Sequence, residues 1–264
     1  RQIVAIGTNA LSTNVAAGET DEGKYNTAVG YRSMEDNTTG NHNTALGWQS
    51  LTYNTTGSGN TALGQDALLK NTTGGNNMAV GNHALMTNIT GSRNTAIGAS
   101  ALELSTGSDN TAIGGAAAAK CVGNYNTVVG SDALQNALDA SYNTVVGFRA
   151  ARAATTAYAV TAIGFQAASA VTTAQDSVFI GSNCAPNATA GWKNTFIGAG
   201  TGGGITTGGK NTIIGAGVVG LSATLSNNII LADGDGNIRA QFDAAGVLRL
   251  ANVPTSASGL VAGQ

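Results

Sequence analysis

Charge is scarce in this 264-residue chain: Asp, Glu, Lys and Arg make up 10% of it, against roughly 25% in an ordinary soluble domain. Twelve Lys plus Arg are spread along the sequence and the net charge is −2, so there is no electrostatic footprint for nucleic acid or an anionic membrane. Runs of about 18 apolar residues are also missing, which excludes a hydrophobic helical span and predicts no membrane insertion. No signal peptide is visible at Arg1, and the lack of an initiator Met reads as a processed chain or a fragment. Cysteine occurs twice, as Cys121 and Cys184, without the spacing of a metal site or a redox pair. Cys184 fills a slot usually taken by Ala or Ser, so it reads as a small buried side chain.

Catalytic constellations are equally thin. His42 and His83 fall at unrelated offsets, and the 14 acidic residues form no repeated pair. A glycosidase needs two carboxylates across a groove, and the nearest approach is Asp109 with Asp132 or Asp139. The sequence therefore predicts no enzyme, no cofactor and no metal. Asp233-Gly234-Asp235-Gly236-Asn237 alternates oxygen donors as a calcium loop does but lacks the later bidentate Glu, and reads as a solvated hairpin turn.

What the chain has is Gly, Ala, Asn and Thr, arranged in a repeat. The word Asn43-Thr44-Ala45-Leu46-Gly47 returns almost unchanged, with glycines at 7, 30, 47, 64, 81, 98, 114, 130, 147, 164, 181, 198 and 215. The usual interval is 17 residues, two shorten to 16, and the first lengthens to 23, where Gly18 to Lys24 reads as a surface loop. A last copy, Asn227 to Leu231, puts Leu at the glycine position and completes fourteen units.

Within each unit the residue before the glycine is aliphatic, as in Leu46 and Ile97, and this is the predicted core column. The residue before that is small in the first half (Ala28, Ala45, Ala62) and grows to Phe179, Phe196 and Ile213 later. Ala45 and its equivalents are expected to face a neighbouring chain or the opposite strand. Such alternation, β-branched and ended by a glycine that turns the chain (Gly47, Gly98), is a strand signal. A second buried segment follows each glycine, for example Ser50-Leu51 and Ala67-Leu68, so each coil is expected to hold two short strands. The Asn-Thr-Thr-Gly stretches at 37–40, 54–57 and 71–74 read as turns rather than glycosylation signals. Gly115 to Lys120 and Ser131 to Ala140 keep the register and read as bulged coils rather than helices.

Fourteen rungs at about 4.8 Å make a rod on the order of 65 Å long. Asn opens the strand in eleven of the fourteen units, so Asn43 and its equivalents can form a rung-to-rung amide ladder or serve local turns alone. A coil this small buries little, and both strand faces are apolar, so one face is expected to line the coil and the other an interface between chains. The organisation is an all-β solenoid or β-roll shaft of 16–17-residue coils over 1–231, a short meander over 232–250, and a linker over 251–264.

The stretch Asn26-Thr27-Ala28-Val29-Gly30-Tyr31-Arg32-Ser33 and its copies resemble the head repeats of trimeric autotransporter adhesins, and more closely the versions found in bacteriophage tail fibres. The resemblance spans residues 1–231, and the Asp-Gly-Asp-Gly-Asn-Ile-Arg segment is similar to the meander that follows such repeats. It implies a left-handed, trimeric β-roll in a virion appendage that attaches to a host. Its expected partners are two further copies, other virion tail proteins, and a host-surface glycan or protein receptor. A bacterial cell-surface adhesin head is the close alternative; an ice-binding solenoid and a capsule depolymerase are alternatives of other classes. The residue after the glycine is aromatic in neighbouring units, Tyr31 with Trp48 and Phe148 with Phe165. With Tyr53 nearby, Tyr31 and Trp48 are the candidate platform for a sugar ring, weighed against simple packing at a coil corner.

Overall fold

The computed structural model describes residues 2–14 and 23–251. Fourteen short strands, β1 (Ile3–Ile6) through β14 (Ile229–Ala232), stack in chain order into one parallel sheet, each pairing only with its neighbours. The register matches the repeat: Thr44, Ala45 and Leu46 pair with Thr61, Ala62 and Leu63. Where the interval shortens to 16, Thr95 still pairs with Thr111. The missing residue comes out of the turn, since Asn88 to Asn94 is six residues and Ser105 to Asn110 is five. Among the described residues there is no helix; 115–120 and 131–136 are turns like the equivalent stretches elsewhere. The predicted loop at 18–24 lies mostly outside the described residues, as does the 251–264 linker beyond Ala251.

The sheet is inverted relative to the sequence expectation. Ala45, Ala62, Ala79 and Ala96 are fully buried, whereas Leu46 is 47% and Ile97 36% exposed. The small column lines the coil, and the aliphatic column faces outward beside Thr44 and its equivalents. The cause lies across the coil. Leu51, Leu68, Leu85 and Leu102, six residues after each alanine, fill the interior from the other side, leaving room for only a methyl group on the strand.

That opposite side is not a second strand. After each glycine the chain runs through an arm of turns in which the second and fourth residues are left-handed, such as Gln49 (φ 54°) and Leu51 (φ 53°). Left-handed residues break strand geometry, but their N–H groups still find the stack. Gln49 donates to the Tyr31 carbonyl one rung back, and Leu51 donates to the Ala67 carbonyl one rung on. The arm is therefore tied to both neighbours without being extended.

At the far end Ile213 pairs with Ile230 and Ile214 with Leu231. Ala232, not Leu231, stands at the glycine position, and Asn228, not Asn227, opens the last repeat. The sheet then continues without a break into an antiparallel meander, with β14 against β15 (Ile238–Phe242) and β15 against β16 (Leu248–Leu250).

Candidate functional site

Asparagine does both jobs considered for it. The Asn43 Oδ1 accepts the backbone N–H of Asn60 on the next rung (2.8 Å), while its Nδ2 donates to the Gly57 carbonyl across the same coil (2.8 Å). A second ladder runs beside it through the turn residues: Asn54 Nδ2 donates to Asn37 Oδ1 (2.7 Å), Asn71 to Asn54 and Asn88 to Asn71 (2.8 Å each). These amides are fully buried, so the Asn-Thr-Thr stretches are structural turns. The second ladder stops at Asn88, whose Oδ1 has no partner, and Ser105 on the following rung has an unpartnered Oγ.

The first ladder is interrupted once by an apolar residue. Val160 receives the Asn143 Oδ1 on its N–H (2.9 Å), but its own side chain offers no acceptor to Ser177. Restoring the amide with Val160→Asn is expected to stabilise the chain by about 1 kcal/mol, read as slower hydrogen exchange at the Thr161 and Val178 amides.

The thiols are buried in the same interior. Burial pushes Cys121 up to about 11 and Cys184 up to about 12, so both are protonated, inert space-fillers at neutral pH.

On the surface, Tyr31 and Trp48 stack with ring centroids 6.3 Å apart and planes 17° from parallel. Both are close to half exposed, as is Tyr53, which makes no ring contact with either among the described residues. Phe148 and Phe165 stack likewise at 5.7 Å, with the Arg149 guanidinium 4.7 Å over the Phe148 ring. Other aromatic rows went unread in the sequence. Tyr125 and Tyr142 stack at 5.0 Å, and Tyr158 meets Tyr142 edge-on at 5.2 Å. Tyr125 and Tyr142 share a repeat offset, but Tyr158 stands one position earlier in its unit, which hides the row. Trp192 carries the ammonium groups of Lys193 and Lys210 at 5.1 and 4.6 Å, a cation–π arrangement.

Two of the three carboxylates considered for hydrolysis, Asp109 and Asp132, are ion-paired. Asp109 takes a two-pronged bond from Arg93 (2.6 and 2.8 Å), which holds its carboxyl below the usual range. Asp132 pairs with Arg149 at 3.3 Å. His83 lies between Asp66 (3.4 Å) and Glu103 (4.0 Å), and His42 stacks on Tyr25. Asp233 is consumed by its own turn. It accepts from the Asn237 side chain, from Arg239 and from two backbone N–H groups, and these bonds hold its carboxyl at about 2. Asp243 repeats the device with Ala245, Val247 and Arg249.

A concavity lies on the arm, where Asn136, Arg149, Arg152, Ala153, Gln166 and Ser169 from three successive rungs line a groove of about 290 Å³. No protein-family profile matches the chain. No curated protein matches it either.

Proposed function

We propose that the chain is a shaft segment of a host-attachment fibre, part of a phage virion, built from three copies packed through the outer face of the parallel sheet. The observation that carries this reading is the outward aliphatic column. Leu46, Leu63, Ile113 and Ile214 are each about two-fifths exposed, in register along one face with Val80 and Ile97 between them. A continuous apolar stripe of this kind marks an interaction surface, and a thin rod with so small an interior gains stability by covering it. Low charge, rung-to-rung amide ladders and the repeat resemblance all support a structural role outside the cell.

Light scattering at micromolar concentration tests the assembly. Three times the 26.1 kDa chain mass is expected; a single-chain mass would overturn the trimer. The double variant Leu63→Asp, Ile97→Asp is expected to drop to one chain, because charges on a covered apolar face are costly. Imaging virions with a label on this chain tests the location.

One further reading has its own observation. Thr44, Thr61, Thr95 and Thr111 face outward in register beside the aliphatic column, the flat hydroxyl-and-methyl array that an ice-binding solenoid presents. Thermal hysteresis in dilute solution would favour it over the fibre.

A further inference from the structure

The groove on the arm gathers unusual chemistry for this chain. Although the net charge is −2, Lys120, Arg149 and Arg152 sit on neighbouring rungs around it, and among the described residues only one carboxylate, Asp132, is paired with any of them. Arg149 is held by Asp132 and by the face of Phe148. Arg152 differs: its Nε donates to the neutral Gln135 Oε1 (3.1 Å), and among the described residues it has no acidic partner. Its terminal nitrogens are therefore uncommitted. Lys120 donates to Asn136 Oδ1 (3.3 Å), and Asn136 Nδ2 in turn to the Arg152 carbonyl (3.2 Å), which fixes that wall. The Gln166 amide and the Ser169 hydroxyl make no side-chain hydrogen bond among the described residues.

The geometry points to this groove as a binding site for an acidic saccharide, a sugar residue bearing a carboxylate. A free guanidinium is a fork that matches a carboxylate with two parallel bonds. Gln166, Ser169 and Asn136 supply the mix of donors and acceptors that sugar hydroxyls need. The stacked Phe148 and Phe165 rings beside Arg149 add half-exposed apolar surface next to the groove, against which the C–H groups of a pyranose can pack. At about 290 Å³ the groove is at the small end of ligand sites, which run from roughly 300 to 1,000 Å³, so it suits one acidic residue of a longer chain. It lies on the arm, away from the sheet face used for assembly, and rests on the attachment reading only for where such a saccharide would be met.

Calorimetric titration of the full chain with the methyl glycosides of galacturonic, glucuronic and N-acetylneuraminic acid tests it, with methyl galactoside as the uncharged counterpart of the first. At least one acidic glycoside is expected to bind ten times or more tightly than the galactoside. Arg152→Gln, an exposed position, is expected to remove that preference, while Arg93→Gln at another corner leaves it intact. Binding by none of the three acids, equal binding of the galactoside, an unchanged preference in Arg152→Gln, or displacement by inorganic phosphate at equal concentration would each overturn the assignment. A single-chain mass with saccharide binding intact would remove the trimeric fibre and leave this site standing.

Discussion

Phe196→Ala is expected to destabilise its rung by about 3–5 kcal/mol and Gly202→Leu by about 3 kcal/mol, yet the two together should recover most of the loss. Phe196 is fully buried, and a Cβ built on Gly202 would meet its ring carbons at 2.5 and 2.7 Å. Six residues separate them, the same offset as Ala45 from Leu51 and Ala62 from Leu68. Early rungs thus place a methyl group on the strand and a Leu on the arm, while late rungs place Phe on the strand and Ala185 or Gly202 on the arm. The interior volume is shared between the two sides, and the double variant rewrites a late rung as an early one. Leu is tolerated at the arm position in left-handed geometry elsewhere, as at Leu85 and Leu102. The edge-on contact between Phe196 and Phe179 (5.6 Å) is not restored, so a residue of about 1 kcal/mol should remain. Hydrogen exchange at the Thr195–Ile197 and Thr212–Ile214 strands reads each variant locally, which suits a stack whose rungs open semi-independently. Additive losses in the double variant would refute the shared-volume account.

The same sharing explains what the sequence made legible and what it hid. Period-2 alternation placed the strands and their register, because pairing needs only the repeat. It did not say which face is inside. Leu46 is larger than Ala45, and size alone assigned it to the core, but the inside was already filled by Leu51 from a segment read as a second strand. Only the coil as a closed object makes Ala45 the buried residue. The arm defeated a strand reading because Gln49 and Leu51 adopt left-handed backbone with side chains that carry no glycine-like signal. Asn43 was legible as a rung-to-rung residue, whereas Asn54 looked like turn chemistry and proved to be a second ladder. The groove was invisible for a related reason. Arg149, Arg152, Gln166 and Ser169 occupy positions that vary from unit to unit, so a search for what repeats passes over them. The proposed groove sits where the repeat varies, and the repeat itself specifies the scaffold.

Gly98→Ala should cost about 3 kcal/mol or more, and Gly200→Ala only about 1. Both residues have positive φ, at 134° and 63°, so conformational preference alone would penalise both. The difference is the neighbouring rung. A Cβ on Gly98 would stand 2.5 Å from the Gly114 carbonyl oxygen and 2.6 Å from its carbon, backbone atoms that cannot move without parting two rungs, while a Cβ on Gly200 meets nothing within 4 Å. Each strand-ending glycine from Gly7 to Gly198 faces the next glycine in the same way, so the column is a set of close backbone approaches. The chain contains its own control. Ala232 occupies this position in the last unit, and it can carry a methyl group because the chain there leaves the parallel stack for the antiparallel β15. If exchange in the strands flanking Gly98→Ala rose no more than in those flanking Gly200→Ala, the close approach would not be what requires glycine. If it rises further, the glycine in Asn-Thr-Ala-Leu-Gly is there for the rung above it as much as for the turn it makes.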